Sequence, residues 1–320
     1  MSESYLFKTY KTFLTKCFDG AVQKLPVDAG FTCPVRDGSK GYCGCDFCNG
    51  HSFVPAYCKA GMSVSDQLEQ GKLFFMRKHP RGENVKYLAY FQSHTNTYSE
   101  ISRASRLFDE ALAVEDVVGF VISTRPDCID KAWAECLSAY GKHCFVAVEL
   151  GVESFDDDVL SGINRGHGVA DSLQAIRLLA DAGIPVGIHL ILGLPCEKPG
   201  FASAMARMVS ALPVSYVKLH QLQIVVGSTM ARKYMTDSSR FKLYDVEAYV
   251  SDVCDFIQYL RGDIALDRFV SEMPFDEVIA PKWGLKPDEV QRLISNALKL
   301  RGISQGCSCD VEHLSLFKTK

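Results

Sequence analysis

No run of about 18 apolar residues occurs in this chain, so no membrane-spanning helix is expected. The opening stretch, Met1-Ser2-Glu3-Ser4-Tyr5-Leu6-Phe7-Lys8, lacks an apolar core of signal-peptide length, and a cytoplasmic protein is expected. A surplus of one charge is also missing. The 35 Lys and Arg against 38 Asp and Glu leave a net charge of −3, which does not advertise a nucleic-acid partner for the chain as a whole. There is no low-complexity segment and no short-period repeat, which argues against disordered tracts and solenoids. What remains is a composition of ordinary globular type, 47% hydrophobic and 23% charged over 320 residues, enough for one large domain or two small ones. Basic residues do gather locally, at Lys72, Arg77, Lys78, His79, Arg81 and Lys86, and again at Lys282, Lys286, Arg292, Lys299, Arg301, Lys318 and Lys320. Such windows either track phosphates or form solvated helix faces.

Cysteine is abundant, at 13 residues. In a cytosolic chain of this length that reads as reduced thiols plus a metal site. Cys128, Cys136, Cys144, Cys196 and Cys254 sit in apolar or helical surroundings and read as small buried fillers, while Cys307 and Cys309 near the end could be a redox or metal pair. Cys33, Cys45 and Cys48 are different. Three thiolates can hold three irons of a [4Fe–4S] cubane and leave the fourth open to chelate a second molecule. The competing reading is a structural zinc with Cys43, His51 or Cys58 as fourth ligand, hence a non-catalytic zinc-binding module. Phe47, just before the last cysteine, makes this stretch resemble the radical S-adenosylmethionine (SAM) signature. Its first gap is longer than the common form, with eleven residues between Cys33 and Cys45.

Along the chain, strand-like and helix-like segments alternate, which argues for a parallel sheet with helices outside it. The expected strands are Val22–Ala29, Val85–Gln92, Val117–Ser123, Cys144–Leu150, Pro185–Leu192 and Ser215–Leu222. The expected helices lie near Ser65–Lys78, Glu100–Leu112, Ile129–Ala139, Asp171–Ala182, with Asp171 as cap, and Phe201–Leu212. This order predicts an α/β fold, a partial (βα)6 TIM-type barrel over residues 1–235 with its site at the carboxyl ends of the strands. Residues 236–320 read as a C-terminal helical extension closing the open side. It holds a helix near Val246–Leu260, an extended stretch at Ile264–Val270, and a last helix opened by Pro287 and ended at Gly302.

Buried parallel strands are normally continuous apolar runs, so polar interruptions carry information. Alternation puts Val146, Val148 and Leu150 on one face and Glu149 on the other. His189 interrupts the next strand and Lys218 and His220 the one after, so Glu149, His189, Lys218 and His220 are the candidate catalytic groups of a functional cavity. Burying such groups without partners costs several kcal/mol. The segments after the strands are rich in polar groups too: Ser93 to Thr97, Ser123 to Asp127, Glu149 to Ser154, Asn164 to His167 and Gly193 to Glu197.

Taken together, Gly30-Phe31-Thr32-Cys33-Pro34, Tyr90-Phe91-Gln92, Thr124-Arg125-Pro126-Asp127, Glu149-Leu150-Gly151, Asn164-Arg165-Gly166-His167, the run His189 to Pro195, Lys218-Leu219-His220, Pro281-Lys282-Trp283 and Gln305-Gly306 resemble the radical SAM superfamily. The likeness is to its YhcC-like branch, related to the Elongator catalytic subunit and to oxygen-independent coproporphyrinogen oxidase. The resemblance implies that Cys33, Cys45 and Cys48 ligate a [4Fe–4S] cluster and that SAM lies against Phe47. It places Ser93, Thr95 and Asn96 at the methionyl amino group. Arg165 would take the SAM carboxylate, with Glu153 twelve positions earlier beside it. Glu149 and Gly193 would touch the ribose, the adenine or the substrate. The Gly-Gly-Glu form of the amino-binding motif is missing. The implied reaction is reductive cleavage of SAM to a 5′-deoxyadenosyl radical that takes a hydrogen atom from substrate, with a flavodoxin- or ferredoxin-type electron donor. The implied substrate is a tRNA wobble uridine, trimmed from carboxymethylaminomethyl to aminomethyl. A small molecule or a protein is the alternative.

Overall fold

Seven strands pair side by side, all parallel, in the order β1 (Val22–Val27), β2 (Lys86–Phe91), β3 (Val117–Thr124), β4 (Phe145–Glu153), β5 (Val186–Leu192), β6 (Tyr216–Gln221) and β8 (Ala265–Arg268). Between β6 and β8 comes a two-residue strand β7 (Ile224–Val225), which pairs antiparallel with β9 (Val278–Ala280). The helices are α1 (Tyr10–Leu14), α2 (Val64–Lys78), α3 (Ile101–Leu112), α4 (Lys131–Gly141), α5 (Asp157–Gly162), α6 (Val169–Asp181), α7 (Phe201–Ser210), α8 (Thr229–Thr236), α9 (Val246–Tyr259) and α10 (Pro287–Arg301). The computed structural model describes residues 6–50, 54–59, 61–78, 85–271 and 273–309. No helix among them is long and apolar enough to cross a membrane.

Adjacent strands stand about 4.8 Å apart, so a flat sheet of this width would separate its edges by roughly 29 Å. Yet Lys24 on β1 reaches Asp267 on β8 at 2.8 Å. The sheet therefore curls until its edge strands face each other across an interior, giving an open, parallel half-barrel. The expected α/β architecture is present, with one strand more than the six expected. The addition is β8, from within the stretch Ile264–Val270, so the C-terminal segment helps build the sheet itself. Its helices also cover that sheet, α9 against α7 and α10 against α9.

Strand alternation sorts the side chains into two layers. Outward residues such as Phe91, Phe120, Val148, Leu190 and Val217 pack under Phe108, Leu137, Ile176, Val209 and Tyr249 of the helices. Inward residues Leu88, Tyr90, Val121, Ala147, Tyr216 and Ala265 meet Tyr10 and Leu14 of α1, which plug the amino-terminal end of the barrel. Gly187 leaves room for that plug, because a Cβ there would lie 2.3 Å from the Tyr216 ring. Polar inward residues stack above this apolar plug, toward the carboxyl ends of the strands.

Helix ends follow local chemistry. Asp171 does not cap α6 from outside. The helix begins at Val169, and the Asp171 carboxylate sits inside the first turn, accepting the Gly168 N–H at 2.8 Å. In α10 Pro287 occupies the first turn and Gly302 the left-handed stop at φ 63°, as the sequence predicts.

Candidate active site

The loop after β1 carries the three cysteines and is tied down from several directions. The Asp46 N–H donates to Ile163 O at 2.9 Å, and the Met230 N–H of α8 donates to Asp46 O at 2.8 Å. The Asn164 amide donates to Gly44 O at 2.9 Å. Lys233 of α8 forms an ion pair with the Asp46 carboxylate. These ties place Cys33, Cys45 and Cys48 on the wall of one cavity at the carboxyl ends of the strands.

Each sulfur faces a donor. The Thr95 hydroxyl donates to Cys33 Sγ at 3.1 Å, Arg165 Nη1 to Cys45 Sγ at 3.2 Å, and Arg36 Nη2 to Cys48 Sγ at 3.3 Å. Arg125 stands behind them. Its guanidinium grips Asp127 at 2.9 Å and 3.1 Å and donates to Arg165 O at 2.7 Å. Burial pushes the Cys33 and Cys48 thiols up, and the donors beside them partly reverse this. That donor set suits cluster sulfurs, which accept N–H and O–H bonds that tune the iron. A zinc site instead draws its ligands to within about 2.3 Å of one point. Among the described residues no three His, Cys, Asp or Glu side chains are grouped that way. His51, a candidate zinc ligand, lies outside the described residues.

Next to the cysteines, Arg165 and Glu153 pair at 3.7 Å. Arg165 also donates to Gly151 O, while its Nε and the Ser93 hydroxyl are buried without a hydrogen-bond partner. Burial raises the Glu153 carboxyl, and Arg165 pulls it back only partly. Glu153 itself is left-handed, at φ 63°, as are His94 and Asn164 at φ 63° and 53°. Such strain in non-glycine residues persists where the surroundings over-determine it.

Deeper in the barrel lies a buried charge network centred on Glu149. One carboxylate oxygen accepts from Lys24 at 3.2 Å and from the Tyr216 hydroxyl at 3.1 Å. The other accepts from the Tyr90 hydroxyl at 2.5 Å, Lys218 at 2.6 Å and His189 Nε2 at 3.0 Å. Asp267 completes the set, 2.8 Å from Lys24 and 3.4 Å from Lys218. Burial alone would raise the Glu149 carboxyl, but Lys218 and then Lys24 overcome it and hold the group well below the usual carboxylate range. Burial pushes Lys218 down to about 8, against the pull of Glu149. Burial also lowers His189 and His220.

Most sequence-predicted residues meet here. Phe47, Ser93, Thr95, Glu149, Glu153, Arg165, His189, Lys218 and His220 all line the cavity with the three cysteines. Two do not. Asn96 turns its amide into the backbone, donating to Phe91 O at 2.9 Å, Ser93 O at 3.0 Å and Ser123 O at 2.9 Å, so it staples the β2 loop to β3. The Gly193 N–H is taken by Glu197 at 2.8 Å, and Tyr244 covers its α-carbon. Glu149 lines the cavity, but its five donors leave its oxygens no capacity to grip a cofactor. Arg36, Arg125, Lys24, Tyr90, Asp267 and Arg268 join the site without a role that the sequence pattern announces. Lys24 was within reach, because alternation from Val22 to Pro26 puts it on the inner face.

Four members of the basic windows have acidic partners. Lys72 pairs with Glu69, Lys86 with Asp116, Arg292 with Glu289 and Arg301 with Asp255. His79, Arg81, Lys318 and Lys320 lie outside the described residues.

A parallel half-barrel whose first strand leads into three cysteines on the rim of its cavity defines the radical SAM class of enzyme. Comparison with known proteins agrees. Residues 42–200 match the Radical SAM superfamily and residues 214–299 match the Radical_SAM C-terminal domain. Protein YhcC of Escherichia coli (strain K12) is 32% identical over 272 residues, 84% of this chain and 85% of that protein. A tRNA uridine(34) acetyltransferase of Dehalococcoides mccartyi is 29% identical over 195 residues, 60% of this chain but 40% of that larger protein. Among solved structures, the archaeal Methanocaldococcus infernus Elp3 with an N-terminal deletion superposes with a TM-score of 0.65 at 18% identity, over 90% of this chain and 65% of that one, which shows a shared fold. The chain belongs to the radical SAM superfamily, alongside YhcC, and is an enzyme of the class that uses a [4Fe–4S] cluster and SAM.

Proposed function

We propose that this enzyme acts on the wobble uridine of tRNA and cuts a carboxymethylaminomethyl substituent back to aminomethyl. The observation that carries the chemical half is the cavity wall, where Cys33, Cys45 and Cys48 sit together, each with a donor aimed at its sulfur. The substrate half is supported by the likeness to a tRNA uridine(34) acetyltransferase. In this reading the three cysteines hold the cluster, and Arg165 presents its planar fork to the SAM carboxylate. The unpartnered Ser93 hydroxyl receives the methionyl ammonium, and Phe47 gives the adenine a flat apolar surface. When bound, the cluster and SAM together supply a radical that takes a hydrogen atom from a C–H bond. A carbon between a nitrogen and a carboxylate is a suitable target, because both neighbours stabilise an unpaired electron there. Loss of that hydrogen atom, and of one further electron back to the oxidised cluster, would leave a C=N bond that water splits into the aminomethyl product and a two-carbon oxo acid. Lys218, pushed down to about 8, can release and regain a proton at Nζ near neutral pH, as departure of the amine in that hydrolysis requires.

A small-molecule substrate is the second reading, favoured by the net charge of −3 and by the acidic partners of Lys72, Lys86, Arg292 and Arg301. The test is anaerobic reconstitution with iron and sulfide, then SAM, dithionite and tRNA carrying the substituent. The expected result is 5′-deoxyadenosine formed in step with aminomethyluridine, read by mass spectrometry of the digested RNA. Deoxyadenosine with unchanged RNA would overturn the tRNA reading, and cluster-loaded protein that makes no deoxyadenosine would overturn the SAM reading as well.

The SAM assignment has its own check. A Cβ on Gly151 would lie 2.6 Å from Arg165 Nη2 and 2.8 Å from Glu153 Oε1. Gly151→Ala must therefore displace the Arg165 fork. The variant should keep its iron but bind SAM about tenfold more weakly, a loss of roughly 1.4 kcal/mol. Unchanged SAM affinity by equilibrium dialysis would remove Arg165 from the SAM site.

A further inference from the structure

The pairing of β8 with β6 is irregular at a telling place. Tyr216 faces Ala265 and Val217 faces Leu266, and then the register slips so that Lys218 faces Arg268. Strict alternation would send Asp267 and Arg268 to opposite faces of the sheet. The slip turns both toward the interior, as bulges beside active sites do. Asp267 reaches the buried lysines, and Arg268 lines the cavity.

Other cations of the cavity have acceptors. Lys218 has Glu149 and Asp267, Arg165 has Glu153 and Cys45, and Arg36 has Cys48. Arg125 has Asp127. Arg268 has neither a carboxylate nor a hydrogen-bond acceptor among the described residues. On the same wall, His220 Nδ1 lies 3.1 Å from the Ser271 hydroxyl, and its Nε2 is buried with no partner. Whichever way that contact runs, the ring's Nε2 is left over, as a donor where Nδ1 accepts from Ser271. A partly buried guanidinium and a buried ring nitrogen, both unanswered, are costly unless a ligand answers them.

We infer that Arg268 and His220 form the corner of the pocket that selects a carboxylate carried by the substrate. The inference rests on the proposed function for the identity of that carboxylate, and on the cavity alone for its existence. The planar fork of an arginine matches a carboxylate through paired N–H bonds. Arg268 also pairs in register with Lys218, directly above the buried network, so the group it holds enters the barrel. A substituent on a base can reach that depth, whereas the backbone phosphates of a folded RNA stay at the rim.

The experiment measures equilibrium binding to reconstituted, SAM-loaded, unreduced enzyme, so no turnover occurs. The probes are an anticodon stem–loop RNA carrying either carboxymethylaminomethyluridine or aminomethyluridine, and the two corresponding free nucleosides. Wild type should prefer the carboxylate-bearing member of each pair. Arg268→Gln should weaken its binding roughly tenfold to a hundredfold while leaving the carboxylate-free member unchanged. Arg268→Lys, which keeps the charge and loses the fork, should fall between, and guards against a fold defect in the glutamine variant. Equal loss for both RNAs would assign Arg268 to the phosphate backbone and overturn the inference. So would a wild-type enzyme with no carboxylate preference on either scaffold. If wild type ignores both RNAs but prefers the carboxylate nucleoside through Arg268, the corner stands and the tRNA reading falls.

Discussion

Cys33→Ala is expected to abolish cluster binding and deoxyadenosine formation together, while Cys43→Ala leaves both intact. The contrast is sharp because the sequence offers two ways to complete the set. The superfamily match begins at residue 42, so it contains Cys43, Cys45 and Cys48 and leaves Cys33 outside. Linear proximity would choose Cys43. Placement favours Cys33: Cys43 is exposed, whereas Cys33 lies on the cavity wall with the Thr95 hydroxyl on its sulfur. Cys45→Ala and Cys48→Ala should behave like Cys33→Ala. Iron and sulfide per chain after anaerobic reconstitution give the first readout, and deoxyadenosine from SAM and dithionite the second. A Cys43→Ala protein that loses its iron would remove Cys33 from the ligand set. A colourless protein holding one zinc per chain would remove the cluster.

The inward polar residues were legible because a parallel barrel makes them conspicuous. Its strands are apolar on the helix side, so Glu149, His189 and Lys218 stand out as breaks in otherwise continuous runs. What those side chains touch was not legible. Glu149 takes its donors from β1, β2, β5 and β6, and no local pattern reports contacts so distant along the chain. Asn96 shows a related limit. Residue type marks it as a good polar ligand, but only the path of the β2 loop shows its amide committed to three carbonyls. The short elements were the least legible. At four residues, with two charges, β8 shows in the sequence only as part of the extended stretch Ile264–Val270, and its place in the sheet comes from pairing with β6. At five residues, α1 is held by Tyr10 and Leu14 in the barrel base rather than by its own helix propensity. The left-handed turns at His94, Glu153 and Asn164 lack the glycine that would announce them.

Glu149→Gln should have the largest effect on stability. Two lysines and two carboxylates, Lys24, Lys218, Glu149 and Asp267, balance inside the barrel. The amide keeps the shape but removes one negative charge, and it turns an NH2 toward groups that are themselves donors. Breaking a buried pair in this way costs about 3–5 kcal/mol, because the remaining charge stays buried without compensation. Thermal unfolding should show Tm lowered by about 10 °C. The pH dependence fixes the cause. In the fold the Glu149 carboxyl is depressed, so its contribution is complete above its unfolded value of about 4.3 and is lost as pH falls through the folded value. The gap in Tm between wild type and Glu149→Gln should therefore narrow in acid. Lys218 gives a slope of the same sign at higher pH. Burial lowers it to about 8 in the fold, so between there and about 10.4 the unfolded chain binds more protons and stability rises with pH. Adding Lys218→Met to Glu149→Gln removes the stranded cation along with its partner. The double variant should lose less than the sum of the single losses, with a coupling of about 0.5–3 kcal/mol. Strict additivity would mean that the two side chains do not share one energetic unit, and the floor of the cavity would then rest on the tyrosines and His189 alone.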